Sequence, residues 1–187
     1  MRIKITALLG LAAGFLAGAT VQAEEQHMTG WLFNVYRMKE VKAVDNKTYQ
    51  EECSACHLAY PPGLLPAKSW QKLLDEKALT DHFGEDASLD EETLSEIRTY
   101  ALENAADKSY YKRSRKIAVA TENGEAPLRI TEVRYIKRKH HEIPAKMIKG
   151  NQDVKSLSYC DACHTETKKG VFDSDTVRIP NYPNWED

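Results

Sequence analysis

The sequence has little excess charge of either sign, no long apolar span and no strand-like alternation. Its 26 basic and 28 acidic side chains leave a formal charge of −2, whereas nucleic-acid binding requires a strongly basic face. The longest apolar run, residues 7–21, is interrupted by Gly10, Gly14 and Gly18 and falls short of the ~18 residues that a membrane span needs. No stretch alternates apolar and polar residues as a half-buried strand does, so a mainly α fold is expected. A chain of 187 residues suits one or two small domains and excludes a large multidomain machine.

What is there begins at the N-terminus. Arg2 and Lys4 form a positive leader, residues 5–20 an apolar stretch rich in small residues, and Val21-Gln22-Ala23 a small-residue cleavage site before Glu24. Residues 1–23 therefore read as a secretory signal peptide rather than an anchor helix, and the mature chain is expected to be soluble, mildly acidic and periplasmic.

Helical patterning is expected in several segments. Residues 24–44 hold scattered apolar side chains that suit a short helix. Residues 45–58 are helix-compatible and end before Pro61-Pro62-Gly63. Residues 65–79 carry Trp70, Leu73 and Leu74 on one face. Asp81-His82-Phe83-Gly84 reads as a loop. Ser88 with Glu91 forms a capping box for a helix reaching about Asn104. The basic stretch 110–116, with Asn123-Gly124 and Pro127 beyond it, has the composition of a linker, which sets an expected boundary near residue 116. Beyond it, Thr131 is positioned to cap a helix running to about His141, a final helix is expected to carry residues 160–164, and the tail from Asp173 reads as extended.

All four cysteines fall in two copies of one pattern, Cys53-Ser54-Ala55-Cys56-His57 and Cys160-Asp161-Ala162-Cys163-His164. Two cysteines three apart can each add across a haem vinyl group, and the adjacent histidine then lies under the iron as proximal ligand. Structural disulfides or a four-cysteine zinc site are the alternatives, but neither explains a histidine directly after both pairs. Two covalently bound haem c groups are expected, held by Cys53, Cys56, Cys160 and Cys163, with His57 and His164 on the irons.

The second axial ligands follow from what else is available. No methionine occurs between the first motif and residue 126, so His82 is the distal candidate for the first haem; its alternative reading is a surface histidine beside a carboxylate. For the second, His140 and His141 precede the motif by about twenty residues, and Met147 is a competing soft ligand. His140 shares a helix face with Val133, Ile136 and Lys137 and is preferred over His141. His27 lies too near the new N-terminus to be favoured. Second-shell bonds normally fix a ligating imidazole, so the free nitrogen of His57 is expected to meet a carbonyl in the Pro61–Gly63 turn. The basic clusters at 112–116 and 134–139 suit either haem propionates or a solvated docking face.

Residues 52–66, 82–89, 126–131, 138–143, 160–164 and 178–180 together resemble the dihaem cytochrome c family. That resemblance implies an N-terminal domain like a class I cytochrome c over residues 24–116 and a smaller helical or irregular haem domain over 117–187. It further implies bis-histidine ligation of both irons, with His82 and His140 in the distal positions, and electron donation to a small oxygen-binding monohaem cytochrome. A departure from the family pattern is His141 directly after His140. The expected function is single-electron transfer without substrate turnover. The rival is a haem enzyme, a peroxidase or small-molecule reductase with one open iron, and a haem-based gas sensor is a third reading.

Overall fold

The computed structural model describes residues 40–185. The expected signal peptide, His27 and most of the 24–44 segment lie outside these residues. The described residues contain seven short α-helices joined by 3-10 turns and loops, with no strand among them and two isolated bridges, His82 with Glu85 and His164 with Val177. The mainly helical architecture expected from the sequence is what forms. No helix among the described residues is long and apolar enough to cross a membrane.

α1 spans Lys47–Cys53, and the Asn46 side chain caps it by accepting from the Tyr49 amide. It stops at Cys53, five residues short of the expected end: the Ser54 amide makes the last i to i−4 bond, to the Gln50 carbonyl, and the Ala55 amide turns instead to Glu52 at 3.5 Å. A 3-10 turn, Pro62–Leu64, leads into α2, Ala67–Leu73. The single helix expected over 65–79 is two helices: the Asp75 carboxylate accepts from the Lys77 and Ala78 amides and starts α3, Glu76–Leu79. Local capping by Asp75 thus outcompetes continued propagation from α2.

α4, Glu91–Glu103, is the longest element, and Leu94, Ile97 and Ala101 form its buried face at helical spacing. Its cap is Asp90, which accepts from the Thr93 amide, rather than Ser88; Ser88 instead bonds Asp86. α1 and α2 both pack on α4. Tyr49, entirely buried, lies between Trp70 and Tyr100 with ring centroids 6.3 Å and 5.1 Å away. The Trp70 indole donates to the Pro62 carbonyl at 2.8 Å, which satisfies its polar edge inside the core.

The segment expected as a linker carries α5, Lys112–Ala120, so the boundary near residue 116 falls inside a helix. Only Ser114 and Ile117 of α5 are buried, too few apolar positions to stand out among four cations. α5 packs against the 62–64 turn on one side and against α6, Arg134–Lys139, on the other. α6 begins after a 3-10 turn at Ile130–Glu132 and ends at Lys139, so the helix expected from Thr131 to His141 is shorter, and Val133 stands at its N-cap position without a side-chain cap. α7, Ala145–Ile148, follows Pro144.

The second cysteine pair is on a 3-10 turn, Cys160–Ala162, not on the expected helix. The tail contains one more 3-10 turn, Ser174–Thr176, capped by Asp173. Residues 40–41 are held against 170–172. The Val41 amide donates to the Gly170 carbonyl at 3.2 Å, and Gly170, at φ +74°, sits so close to the Val41 carbonyl that a Cβ there would collide with it.

Candidate functional site

The first motif occupies the turn that leaves α1. Cys53 is the helix's last residue, Cys56 is exposed, and His57 is half-buried. The His57 Nδ1 donates to the Leu58 carbonyl at 2.8 Å, which leaves Nε2 free to bind a metal. The partner is the next residue's carbonyl rather than one in the Pro61–Gly63 turn, whose own carbonyls accept from Leu64, Leu65 and Trp70. The Tyr60 ring lies against His57 at 4.8 Å with 28° between planes.

His82 reaches the same place from a separate loop. Its ring centroid is 6.4 Å from that of His57. Four bonds shape the loop: the His82 amide to the Glu85 carbonyl at 2.7 Å, the Glu85 amide back to His82 at 3.4 Å, the Phe83 amide to the Asp81 carbonyl at 2.9 Å, and the Gly84 amide to the Asp81 carboxylate at 3.0 Å. Phe83 and Gly84 take φ of +60° and +104°. Burial, then the neighbouring His57 and Arg129, hold the His82 imidazole below its ordinary pKa, so it stands as the neutral species that ligates metals.

The second motif is tied down from both ends. The His164 amide returns to the Cys160 carbonyl and the Arg178 amide donates to the Cys163 carbonyl, both at 2.8 Å. His140 caps α6, its Nδ1 donating to the Ile136 carbonyl at 2.8 Å, and its ring centroid is 6.1 Å from that of His164 at 71°. His141 points elsewhere: its side chain is 66% exposed, beside Glu142. Met147, the alternative ligand, lines the same cavity as His140 and His164.

That cavity measures about 310 Å³ and is walled by apolar side chains including Ile136, Ile143 and Val154 together with Cys160, Cys163 and His164. Burial, then His140 and Arg113, push the His164 imidazole down to about 4. Its Nδ1 is buried without a hydrogen-bond partner. Burial likewise raises Cys53 and Cys160 to about 12 and raises Cys163. These are protonated thiols, unlike the low-pKa thiolates of redox or metal-thiolate centres. None of the four cysteines forms a disulfide.

Sequence reasoning singled out His57, His82, His140, His164 and the four cysteines, and the structure brings each distal candidate beside its motif's histidine. It did not single out the Glu40–Arg113 pair, which also lines the second cavity. The Arg113 guanidinium meets the Glu40 carboxylate at 3.0–3.2 Å, Glu40 accepts from the Phe172 amide at 2.7 Å, and Arg113 also donates to the Tyr135 hydroxyl at 3.2 Å. Residues 73 positions apart leave no local signal in a sequence.

Residues 49–172 match the family model described as dihaem cytochrome c. The chain is similar to the solved structure of a dihaem cytochrome c from Shewanella baltica, with 38% identity and a TM-score of 0.61 over 75% of this chain and 98% of that one. It is also similar to a dihaem cytochrome c from Rhodobacter sphaeroides, with 42% identity and a TM-score of 0.62 over 71% of this chain and 100% of that one. No match is found among curated proteins.

Proposed function

The chain belongs to the dihaem cytochrome c family and carries two covalently bound haem c groups, and from that premise we propose that it is a periplasmic carrier of single electrons with bis-histidine ligation at both irons. The observation that carries this reading is the spacing of the facing imidazoles, 6.4 Å for His57 with His82 and 6.1 Å for His140 with His164. Two metal–imidazole bonds of about 2.0–2.1 Å would fit between rings at this separation, so His57 with His82 and His140 with His164 could each hold one iron. Both separations exceed the 4.8 Å between the Tyr60 and His57 rings, which lie directly against each other.

Bound haem supplies the reversible iron(III)/iron(II) couple. The protein's part is to hold it and to deny other chemistry. Cys53, Cys56, Cys160 and Cys163 offer their thiols for thioether attachment. Nδ1 donation from His57 and His140 to backbone carbonyls fixes each ring with Nε2 toward the metal. With His82 and His140 in the distal positions, neither iron keeps an open coordination place for a substrate, which favours electron transfer over peroxidase or reductase chemistry. Lys112, Lys116 and Lys139 line the second cavity with Arg113 and place positive charge for the anionic propionates. The functional division of the chain, residues 24–116 for one haem and 117–187 for the other, then has α5 as a shared wall.

The acceptor in this reading is another small haem protein, of the oxygen-binding monohaem cytochrome kind, and residues 1–23 direct export. Whole-protein mass spectrometry of the exported form should give residues 24–187 plus two haems. Optical spectra of the reduced protein should change little under carbon monoxide, whereas the His82→Ala variant should take up the gas on one iron. In stopped-flow mixing, the reduced protein should be oxidised rapidly by a monohaem cytochrome. Repeated turnover of peroxide or nitrite, with no oxidation by any cytochrome, would instead establish the enzyme reading.

A further inference from the structure

The loop that presents His82 contains an unusual residue. Phe83 adopts φ +60°, a left-handed conformation that is uncommon for any residue with a Cβ and an outlier for a bulky one. Core burial does not account for it, since Phe83 is 46% exposed. Two contacts do involve its ring. The His82 imidazole meets it in a T-shaped arrangement at 4.9 Å, and the Arg129 guanidinium carbon lies over it, 3.9 Å from the ring centroid. A residue in a sparsely populated conformation persists only where its surroundings over-determine it. The loop's own bonds close residues 81–85 on themselves, so among these contacts it is Arg129, 46 positions further on, that ties the loop to the rest of the molecule through the Phe83 ring.

We infer that Arg129 is a positioning residue for the first haem: by stacking on Phe83 it latches the 81–85 loop and holds His82 against its iron. This inference rests on the bis-histidine reading of that site. Arg129 comes from the segment whose next two residues, Ile130 and Thr131, line the second cavity. The latch on the first site's distal histidine is therefore supplied by the wall of the second. The loop is exposed, with Asp81, Phe83, Gly84 and Glu85 all at the surface, and a surface cation–π contact of this kind shifts an open–closed equilibrium by about two- to five-fold.

The test uses the intact dihaem protein. In a bis-histidine site, carbon monoxide binds only in the moments when the distal ligand has left, so its uptake rate reads the unlatched fraction. Uptake by the reduced protein is followed by stopped flow, with His82→Ala providing the spectral signature and fast limit for the first iron. Arg129→Ala and Phe83→Leu should each raise the wild-type rate about two- to five-fold, with resting spectra and melting temperatures unchanged. The double variant should be no faster than the faster single one, because both remove the same contact. A wild-type rate in Arg129→Ala, or effects of the two substitutions that multiply, would overturn the latch. If wild type already binds at the His82→Ala rate, it is the ligation reading that fails, and the two failures are told apart.

Discussion

The Tyr60 hydroxyl donates a hydrogen bond to the carbonyl oxygen of Ser158, 98 positions away and two before Cys160, while the Tyr60 ring lies against His57. Its own carbonyl accepts from the Tyr49 hydroxyl at 2.7 Å, which anchors it in the core. Burial raises the Tyr60 hydroxyl well above the ordinary tyrosine range, so it remains a donor at any physiological pH. One side chain thus joins the two attachment loops. Tyr60→Phe keeps the ring on His57 and deletes the tie. It should cost about 0.5–1.5 kcal/mol in denaturant titrations, with faster amide exchange concentrated in residues 159–163; exchange raised evenly along the chain would argue against a local tie.

Gly63 faces Ser114 of α5 so closely that a Cβ at residue 63 would collide with the Ser114 hydroxyl oxygen, whereas the Ser114 Cβ would lie 3.5 Å away in ordinary contact. That hydroxyl is buried without a partner. Gly63→Ala should therefore destabilise the protein by about 1–3 kcal/mol through overpacking, and Ser114→Ala alone should be neutral or mildly stabilising. Combining the two should recover most of the loss. Simple additivity of their unfolding free energies would show that the collision is not the cause.

Glu40 and Arg113 are both largely buried, with side-chain exposures of 11% and 14%. Removing one member leaves the other charge in the interior without its partner, a loss of about 3–5 kcal/mol when a buried pair is broken. Arg113→Ala and Glu40→Ala should each cost a sum of that order, and the double variant should cost less than the two together. A double-mutant cycle on thermal or denaturant unfolding measures this; full additivity would mean that the carboxylate and guanidinium do not support each other.

The two proximal imidazoles differ in their supports. His57 donates its Nδ1 proton to Leu58, while the buried Nδ1 of His164 has no partner. A hydrogen bond of that kind makes a ligating imidazole a stronger donor, which favours iron(III). The first haem should therefore have the lower reduction potential. His82→Met, which replaces an imidazole by a thioether, should raise the lower step of a potentiometric titration and leave the upper one in place. Movement of the upper step instead would reverse the order.

The chemistry was far more legible in the sequence than the boundaries of the elements. Thioether attachment and axial ligation demand fixed residue types at fixed spacing, so both motifs stood out, and the lack of methionine between residues 58 and 126 pointed to His82. The misplaced boundaries have local causes. Asp75 and Asp90 won the caps over continued helix or over Ser88 because each carboxylate accepts an amide in its own next turn. α5 was hidden because Lys112, Arg113 and Lys116 face a cavity, which makes a wall look like a solvated linker. Tyr60, Arg113 and Arg129 act through partners 46 to 98 positions distant, and no periodicity records such pairings.

The wall of the second cavity includes Glu40 and Leu64 from the beginning of the described chain as well as the α5 cations. If the chain is exported N-terminus first, as proposed, it delivers those residues, and the whole of the first motif, before Cys160 emerges. The second attachment pocket is then completed on a surface that already exists, whereas the first motif has to be presented without one. Maturation would follow the order of translation, and an arrested or truncated product would hold the first haem alone.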